Sequence, residues 1–271
     1  MSLPDCPTAR LPDSLDAEVV VVGGGPAGAA TALHLARHGR RVILLEGRDL
    51  AHERPAELRS GEVLSPGGQH ELARLGLPTR GACWRYDDFT ALRNHWPGGR
   101  VTLDPLPRGL VYWQTNRGRL DRALVALARA AGVTVHDGQR VSDLLRDDRG
   151  AVCGVVTKAG RAPGRAWRAP VVVDASGRYS AILARLDAKR PDPEFRRAAL
   201  VSFYEWMPDC ARGVWEQHFF AVHHSAVKGA MMAPGLYRFS LEIDLAARDT
   251  YAARHDAHTP HTLTLAVLRD L

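Results

Sequence analysis

Residues 19–46 read VVVVGGGPAGAATALHLARHGRRVILLE and decide the fold. Glu18–Val22 and Val42–Leu45 are short runs of β-branched and aliphatic residues, which are typical of strands buried on both faces. A helical pattern of small residues runs between them, from Ala27 to about His38. Two such strands joined by a crossover helix predict a parallel sheet with a right-handed connection. Ligands of such sheets bind at the carboxyl ends of the strands.

A glycine-rich loop joins the first strand to the helix. Residues 23–28 satisfy the pattern G-x-G-x-x-G directly after a strand and directly before a helix. In such loops the first glycine permits a tight turn, the second lets the backbone approach a pyrophosphate, and the third allows close packing of helix on strand. The helix N-terminus then faces the anion. The candidate binding residues of this loop are Gly23, Gly25, Pro26, Ala27 and Gly28.

Glu46 closes the second strand, 18 residues after Gly28, and Gly47 follows it. A carboxylate at this place can accept hydrogen bonds from a ribose diol while it repels a 2′-phosphate. The pattern therefore favours the adenosine of FAD or NAD over that of NADP. A glycine-rich turn that binds no ligand is the alternative interpretation.

Beyond this unit the chain alternates between two kinds of pattern. Helical spacing appears at 65–77 and 120–131, and strand patterns appear at 85–113, 133–135, 140–156, 170–174, 201–204, 214–220 and 237–243. We predict an α/β fold in which a mostly antiparallel sheet is inserted into or appended to a doubly wound nucleotide-binding domain. The predicted parts are a disordered leader at 1–16, the nucleotide-binding domain at 17–80 and 115–190, and an incomplete substrate domain at 81–114 and 191–271.

Composition excludes several classes of protein. The chain has 271 residues, a formal net charge of +6 and 45% hydrophobic residues, as ordinary globular proteins do. Its four cysteines lie far apart, which indicates neither a disulfide framework nor a zinc site and suggests a reducing cytoplasm. Its arginines are spread along the chain, so we expect no nucleic-acid partner. No apolar run approaches the roughly 18 residues of a membrane helix.

Four stretches together resemble the flavoprotein oxidoreductases that include geranylgeranyl reductases, flavin-dependent halogenases and FAD-dependent monooxygenases. They are VVVVGGGPAGAATALHLARHGRRVILLE (19–46), RSGEVLSPGGQHELARLGL (59–77), NRGRLDRALVALARAAGV (116–133) and VVVDASGRYS (171–180). The resemblance implies an FAD-binding domain of the glutathione reductase type, with FAD as cofactor and NADH or NADPH as electron donor.

The resemblance also assigns roles to single residues. It places Arg117 near the phosphates or ribose of FAD and lets Val141 hold the adenine through its backbone. A solvated arginine at a helix start and a plain core valine are the alternatives. Arg59 and Glu62 match a segment that passes close to the flavin.

The D-A-S-G loop that begins at Asp174 and contains Gly177 lies against the pyrophosphate and ribitol in the family. A carboxylate that caps the strand-loop junction is the alternative for Asp174.

The resemblance implies a monooxygenase that hydroxylates an organic substrate, an aromatic compound among the candidates, through a flavin C4a-hydroperoxide. The lysine and the W-x-W-x-x-P motif of flavin halogenases are both missing, since no lysine precedes Lys158 and the nearest counterpart of the motif, GAMMAP at 229–234, has methionine where tryptophan would stand. A reductase of the geranylgeranyl reductase type is the alternative, and halogenation is disfavoured. The residues indicate no catalytic acid or base, because the histidine cluster His218, His223 and His224 reads as core or solvated side chains.

The family's second FAD motif, a G-D-A loop that follows the substrate sheet, does not occur in the sequence. We therefore expect a truncated product, a partial chain or a split enzyme that binds the ADP half of FAD weakly. A non-catalytic nucleotide-binding fragment that needs a partner chain, and an NAD-binding module, remain open. The substrate, free or bound to a carrier, is not specified by the sequence.

Overall fold

The structure is a computed structural model that describes residues 15–50, 62–79, 82–89, 91–95, 100–108, 110–158, 160, 164–190, 197–204, 216–222, 225–233, 236–259 and 262–263. The chain divides into two compact units. The first consists of residues 1–54 and 121–190, and the second of residues 55–120 and 191–271.

The described residues form sixteen strands, four α-helices and a short 3-10 helix at Gly177–Tyr179. In chain order these are β1 (Val19–Val22), α1 (Pro26–Arg37), β2 (Val42–Leu45), β3 (Glu62–Leu64), α2 (Pro66–Arg74), β4 (Arg85–Phe89), β5 (Ala91–His95), β6 (Val101–Pro105), β7 (Tyr112–Thr115), α3 (Arg117–Ala130), β8 (Thr134–His136), β9 (Arg140–Arg146), β10 (Val152–Lys158), β11 (Arg165–Arg168), β12 (Val171–Asp174), β13 (Arg197–Tyr204), β14 (Glu216–Val222), β15 (Ser225–Ala233), β16 (Leu236–Asp244) and α4 (Leu245–His255).

The first unit is built on a parallel sheet with the strand order β12-β1-β2-β8. Every residue of β1 and β2 is buried, as the unbroken aliphatic runs predict. The register aligns Val22 with both Leu45 and Asp174, and Leu45 with His136. The carboxyl ends of all four strands therefore meet along one edge, and the predicted parallel sheet is confirmed.

Helix α1 begins at Pro26, whose missing N–H costs nothing in the first turn of a helix. Its buried face consists of small residues and one leucine, namely Gly28, Ala29, Ala32 and Leu33. Small side chains let the helix lie close to the sheet. The N-cap residue is Gly25, and no side chain caps this end of the helix.

An antiparallel sheet with the order β11-β10-β9 completes the first unit and extends the predicted meander to residue 168. Val155 of β10 and Trp167 of β11 share one buried cluster with Val20, Val22 and Leu45 of the parallel sheet. This packing holds the start of β9 beside the carboxyl end of β2.

The second unit contains a three-stranded sheet, β3-β7-β4, and a six-stranded sheet, β13-β16-β15-β14-β5-β6. Only the pairing of β14 with β5 is parallel among the pairs described in these two sheets. Leu241 and Ile243 of the central strand β16 are fully buried. The prediction of a mostly antiparallel second sheet system is thus confirmed.

The predicted boundaries between the nucleotide-binding and substrate domains remain a prediction. The compact units also divide after residue 190, but residues 55–80 and 115–120 group with the antiparallel sheets. Residues 1–14 of the predicted leader lie outside the described residues. At the end of that leader, the backbone N–H of Asp16 donates to the carbonyl of Arg168 at 3.0 Å, and the Asp16 carboxylate accepts the N–H of Arg168 at 2.8 Å.

In the part of the chain that the structure describes, no helix combines the length and the apolar character that crossing a membrane requires. No group of three or more histidine, cysteine, aspartate or glutamate residues in that part is placed to hold a metal ion.

Candidate nucleotide-binding site

Two glycines of the loop after β1 are required by the close approach of backbone to backbone. Gly23 has a φ of +110°, and a Cβ atom on it would lie 2.3 Å from the carbonyl oxygen of Ala175. A Cβ atom on Gly28 would lie 1.8 Å from the carbonyl oxygen of Gly23. Because neither glycine carries a Cβ atom, the loop can pass between the end of β12 and the first turn of α1. They account for Gly23 and Gly28 by packing alone.

Gly25 differs from Gly23 and Gly28, the other two glycines of the motif. Among the described residues, no heavy atom other than those of Gly25 and its two chain neighbours lies within 4 Å of the position that its Cβ would take. Its φ of −74° and ψ of −178° are open to any residue, so neither the backbone nor the packing demands glycine there. Gly25 is the N-cap of α1, and at this end of the helix the dipole and the uncapped N–H groups favour an anion. The pyrophosphate of a dinucleotide fits this arrangement.

Glu46 lies at the end of β2, and its buried carboxylate accepts four hydrogen bonds. Oε2 accepts the backbone N–H of Gly24 at 2.7 Å and Nη2 of Arg48 at 3.1 Å. Oε1 accepts the backbone N–H of Arg48 at 2.8 Å and its Nε at 2.9 Å. The glycine loop and the end of β2 are therefore tied together through one carboxylate.

Two opposing effects set the pKa of Glu46. Burial raises the pKa, but the hydrogen bond and the charge of the Arg48 guanidinium, together with the N–H groups of Arg48 and Gly24, lower it by more. The net pKa lies below the ordinary value of 4.5. Glu46 is therefore anionic at neutral pH, as recognition of a ribose diol requires.

Arg48 also reaches a second carboxylate. Its Nη2 lies 3.4 Å from Oδ2 of Asp121, which is fully buried in helix α3. The sequence reasoning missed both residues. The signals were a basic residue two positions after the strand-ending acid and an aspartate in the R-L-D stretch that the resemblance had already singled out.

The loop after β8 is hydrogen-bonded to Glu46 and lies beside Gly47. The backbone N–H of Glu46 donates to the carbonyl of His136 at 2.9 Å, and the N–H of Gln139 donates to the carbonyl of Glu46 at 2.8 Å. A Cβ atom on Gly47 would lie 3.2 Å from Cγ of Arg140. Gly47 thus leaves room for the side chain at the start of β9.

A buried chain of hydrogen bonds links this loop to β10 and β11. Nε1 of Trp167 donates to Oγ1 of Thr157 at 2.8 Å, and that hydroxyl donates to Oε1 of Gln139 at 2.8 Å. The Trp167 ring packs against His136 with centroids 4.4 Å apart, and the guanidinium of Arg165 lies 3.8 Å from its centroid. The pKa of His136 is lowered by burial and by the charge of Arg165, against an opposing effect of Asp137. His136 is therefore neutral at pH 7.

Asp174 closes β12 and organises the turn that follows. Its Oδ1 accepts the N–H and hydroxyl of Ser176 at 3.1 and 2.5 Å, and its Oδ2 accepts the N–H groups of Ile182 and Leu183 at 2.9 and 3.1 Å. Burial raises its pKa, but these hydrogen bonds outweigh burial and lower the pKa below 3.8. The geometry supports the capping alternative directly. A contact with FAD remains a prediction for Asp174 and for the exposed Gly177, which has a φ of +71°.

Val141 lies in β9 and packs partly buried against the core of the first unit. Its carbonyl accepts Nη2 of Arg185 at 3.0 Å. This contact provides a structural role for the backbone of Val141, and the predicted adenine contact stays a prediction.

The remaining predicted residues belong to the second unit or lie outside the description. Arg117 begins α3, where Oδ1 of Asn116 caps the helix by accepting the N–H of Arg119 at 2.9 Å. Glu62 begins β3 of the second unit. Arg59, His223 and His224 lie outside the described residues, whereas His218 is in β14, and Met231 and Met232 are in β15.

The comparisons with known proteins agree with this geometry. A family model described as FAD binding domain matches residues 16–264. The chain belongs to this family. The predicted relationship to FAD-dependent oxidoreductases and the predicted FAD-binding fold class are confirmed.

Three similar proteins illustrate the range of the family. The chain is 34% identical over 182 residues to 6-methylpretetramide 4-monooxygenase of Streptomyces rimosus, an alignment covering 63% of this chain and 40% of the relative. It is 32% identical over 164 residues to menaquinone reductase of Mycolicibacterium smegmatis, covering 55% of this chain and 35% of the relative. A geranylgeranyl bacteriochlorophyll reductase-like protein from Thermoplasma acidophilum shares the fold, with a TM-score of 0.74, 19% identity and coverage of 93% and 60%. The chain thus spans less than half the length of these two curated relatives.

Proposed function

We propose that this chain is the FAD-binding part of a monooxygenase that hydroxylates a small organic or carrier-bound substrate. The observation that carries the proposal is the space beside Gly25 at the start of α1, with the anionic Glu46 at the end of the neighbouring strand. The similarity to a curated monooxygenase, at 34% identity, supports the type of reaction.

In the proposed complex, the N–H groups of the first turn of α1 hold the pyrophosphate, and Gly25 leaves room for it. Glu46 accepts hydrogen bonds from the adenosine ribose, and its negative charge excludes a 2′-phosphate on the same nucleotide. FAD, when bound, supplies the redox chemistry of oxygen activation, with NADH or NADPH as the proposed electron donor. The protein's part is to bind and orient the cofactor through these groups.

A flavin-dependent reductase is the second candidate, and the similarity to menaquinone reductase favours it. The two functions differ in what they consume. A monooxygenase takes up molecular oxygen in step with product, whereas a reductase turns over without oxygen. Oxygen uptake and product formation, measured together in the presence of the electron donor and one candidate substrate, separate them.

The proposal includes a cytoplasmic location, in keeping with the scattered cysteines, and a partner chain that supplies the remaining FAD contacts. In this proposal β1, β2 and α1 form one face of the dinucleotide site, and the partner supplies the rest. Co-purification of the chain with a protein that restores stoichiometric FAD binding would support the partner.

The decisive experiment is an equilibrium titration of the purified chain with FAD, monitored by the visible spectrum of the flavin, because weakly bound FAD is lost on gel filtration. We expect a saturable spectral change with the wild type and its loss with Gly25→Val, because the valine side chain fills the space that the pyrophosphate needs. Ala130→Val is the control, since Ala130 is the exposed last residue of α3 and the substitution also adds bulk, here away from the glycine loop. Equal FAD affinity of both variants would remove the glycine loop from the site.

A further inference from the structure

The carboxylate proposed to bind ribose is already saturated with protein donors. An ionised carboxylate offers about four acceptor positions, and Glu46 uses four, two on each oxygen. Its side chain is only 8% exposed. A ribose can therefore reach Glu46 only if a protein donor leaves.

The four donors are of two kinds. The N–H groups of Gly24 and Arg48 belong to the backbone, where the loop after β1 and the end of β2 fix them. Nε and Nη2 of Arg48 belong to a side chain that is 23% exposed. Only these two side-chain donors can move away without a change in the fold.

The two movable donors have the arrangement of a ribose diol. Nε donates to Oε1 at 2.9 Å and Nη2 donates to Oε2 at 3.1 Å, so the guanidinium presents a fork with one donor on each carboxylate oxygen. The cis 2′- and 3′-hydroxyls of a ribose also present two neighbouring donors. A diol can thus replace the fork donor for donor, whereas a ribose lacking both hydroxyls cannot.

Asp121 provides a second partner for the displaced side chain. Its Oδ2 lies 3.4 Å from the same Nη2, and the carboxylate is fully buried. The guanidinium can leave Glu46 and remain paired with a negative charge, which lowers the free energy needed for its release.

We propose that Arg48 determines which nucleotides the site accepts by occupying the ribose position on Glu46 until a ribose diol displaces it. The inference rests on the proposed nucleotide site and adds a specificity-determining residue to it. Arg48 competes with the ligand, so its removal strengthens the binding of nucleotides that carry the diol.

The test is isothermal titration calorimetry of the 271-residue chain with two probes, ADP and 2′,3′-dideoxyadenosine diphosphate. Arg48→Ala should raise the affinity for ADP by about five-fold, the scale of a partly exposed ion pair, and leave the affinity for the dideoxy probe within about two-fold. Arg48→Lys keeps a positive charge between the two carboxylates but lacks the fork, so it should show a smaller gain for ADP. This variant guards against misfolding of Arg48→Ala.

Arg40→Ala is the control, because it also removes one arginine charge, here from the exposed ion pair with Glu18. It should change neither affinity. Weaker ADP binding in both Arg48 variants, or an equal change for both probes, would overturn the inference while leaving the nucleotide site intact. Failure of the wild type and all variants to bind ADP would instead overturn the proposed site itself.

Discussion

Replacing Gly28 with alanine tests whether the start of α1 is held by backbone contact. An alanine in a helix is ordinarily more stable than a glycine by about 1 kcal/mol. Here, however, the new Cβ would lie 1.8 Å from the carbonyl oxygen of Gly23, and real Cβ contacts essentially never fall below 3.0 Å. Both partners are backbone, so no side-chain rotation relieves the overlap. We expect the strain to exceed the helix gain and to lower the free energy of unfolding by about 3 kcal/mol.

The assay is urea unfolding followed by circular dichroism. At an m value of about 3 kcal/mol per molar urea, a loss of about 3 kcal/mol lowers the midpoint by about 1 M. Gly25→Ala is the control, because its Cβ position is open, and its midpoint should stay close to that of the wild type. A Gly28→Ala protein as stable as the wild type would refute the reasoning that the backbone contact fixes this glycine.

Three further predictions concern the polar groups of the first unit. The pKa of Glu46 is lowered on folding, so the contribution of Glu46 to stability is present above pH 4.5 and is lost as the pH falls through the lower pKa of the folded state. Glu46→Gln should therefore weaken the loss of stability at acid pH, measured as the thermal unfolding temperature against pH. Trp167→Phe removes the donor to Thr157 and should cost about 1–2 kcal/mol in chemical denaturation, and an unchanged midpoint would contradict a structural role. Asp174→Ala leaves the N–H groups of the following turn without their cap and should cost about 1–2 kcal/mol, with faster hydrogen exchange at Ile182 as the diagnostic reading.

The part of the fold that could be predicted from sequence is the part with strong local patterns. β1, α1 and β2 follow from aliphatic runs and a small-residue helix, and their observed bounds agree with the prediction to within a few residues. β15 was not predicted, because its sequence SAVKGAMMA has glycine and alanine where strands favour β-branched residues. It is a strand because β14 and β16 pair with it on both sides. Helix α4 was not predicted either.

The candidate site divides in the same way. Glu46 and the glycine loop could be predicted because their spacing along the chain carries the signal. The contact between Arg48 and Asp121 could not, because it joins residues 73 positions apart and depends on how α3 packs. The hydrogen bonds from residues 182 and 183 to the Asp174 carboxylate also could not be predicted, because these donors lie in a turn that the sequence pattern does not mark.

The packing of Trp167 has an optical consequence. An indole that is 1% exposed should emit at shorter wavelength than the average of the six tryptophans, and its ring contact with His136 should make that emission sensitive to protonation of the imidazole. The Trp167 ring packs on the ring of His136, and the backbone carbonyl of His136 accepts the backbone N–H of Glu46, so one ring contact and one hydrogen bond link the chromophore to the residue proposed to bind ribose. The difference in emission between the wild type and Trp167→Phe is thus an intrinsic, label-free signal for events at the nucleotide site.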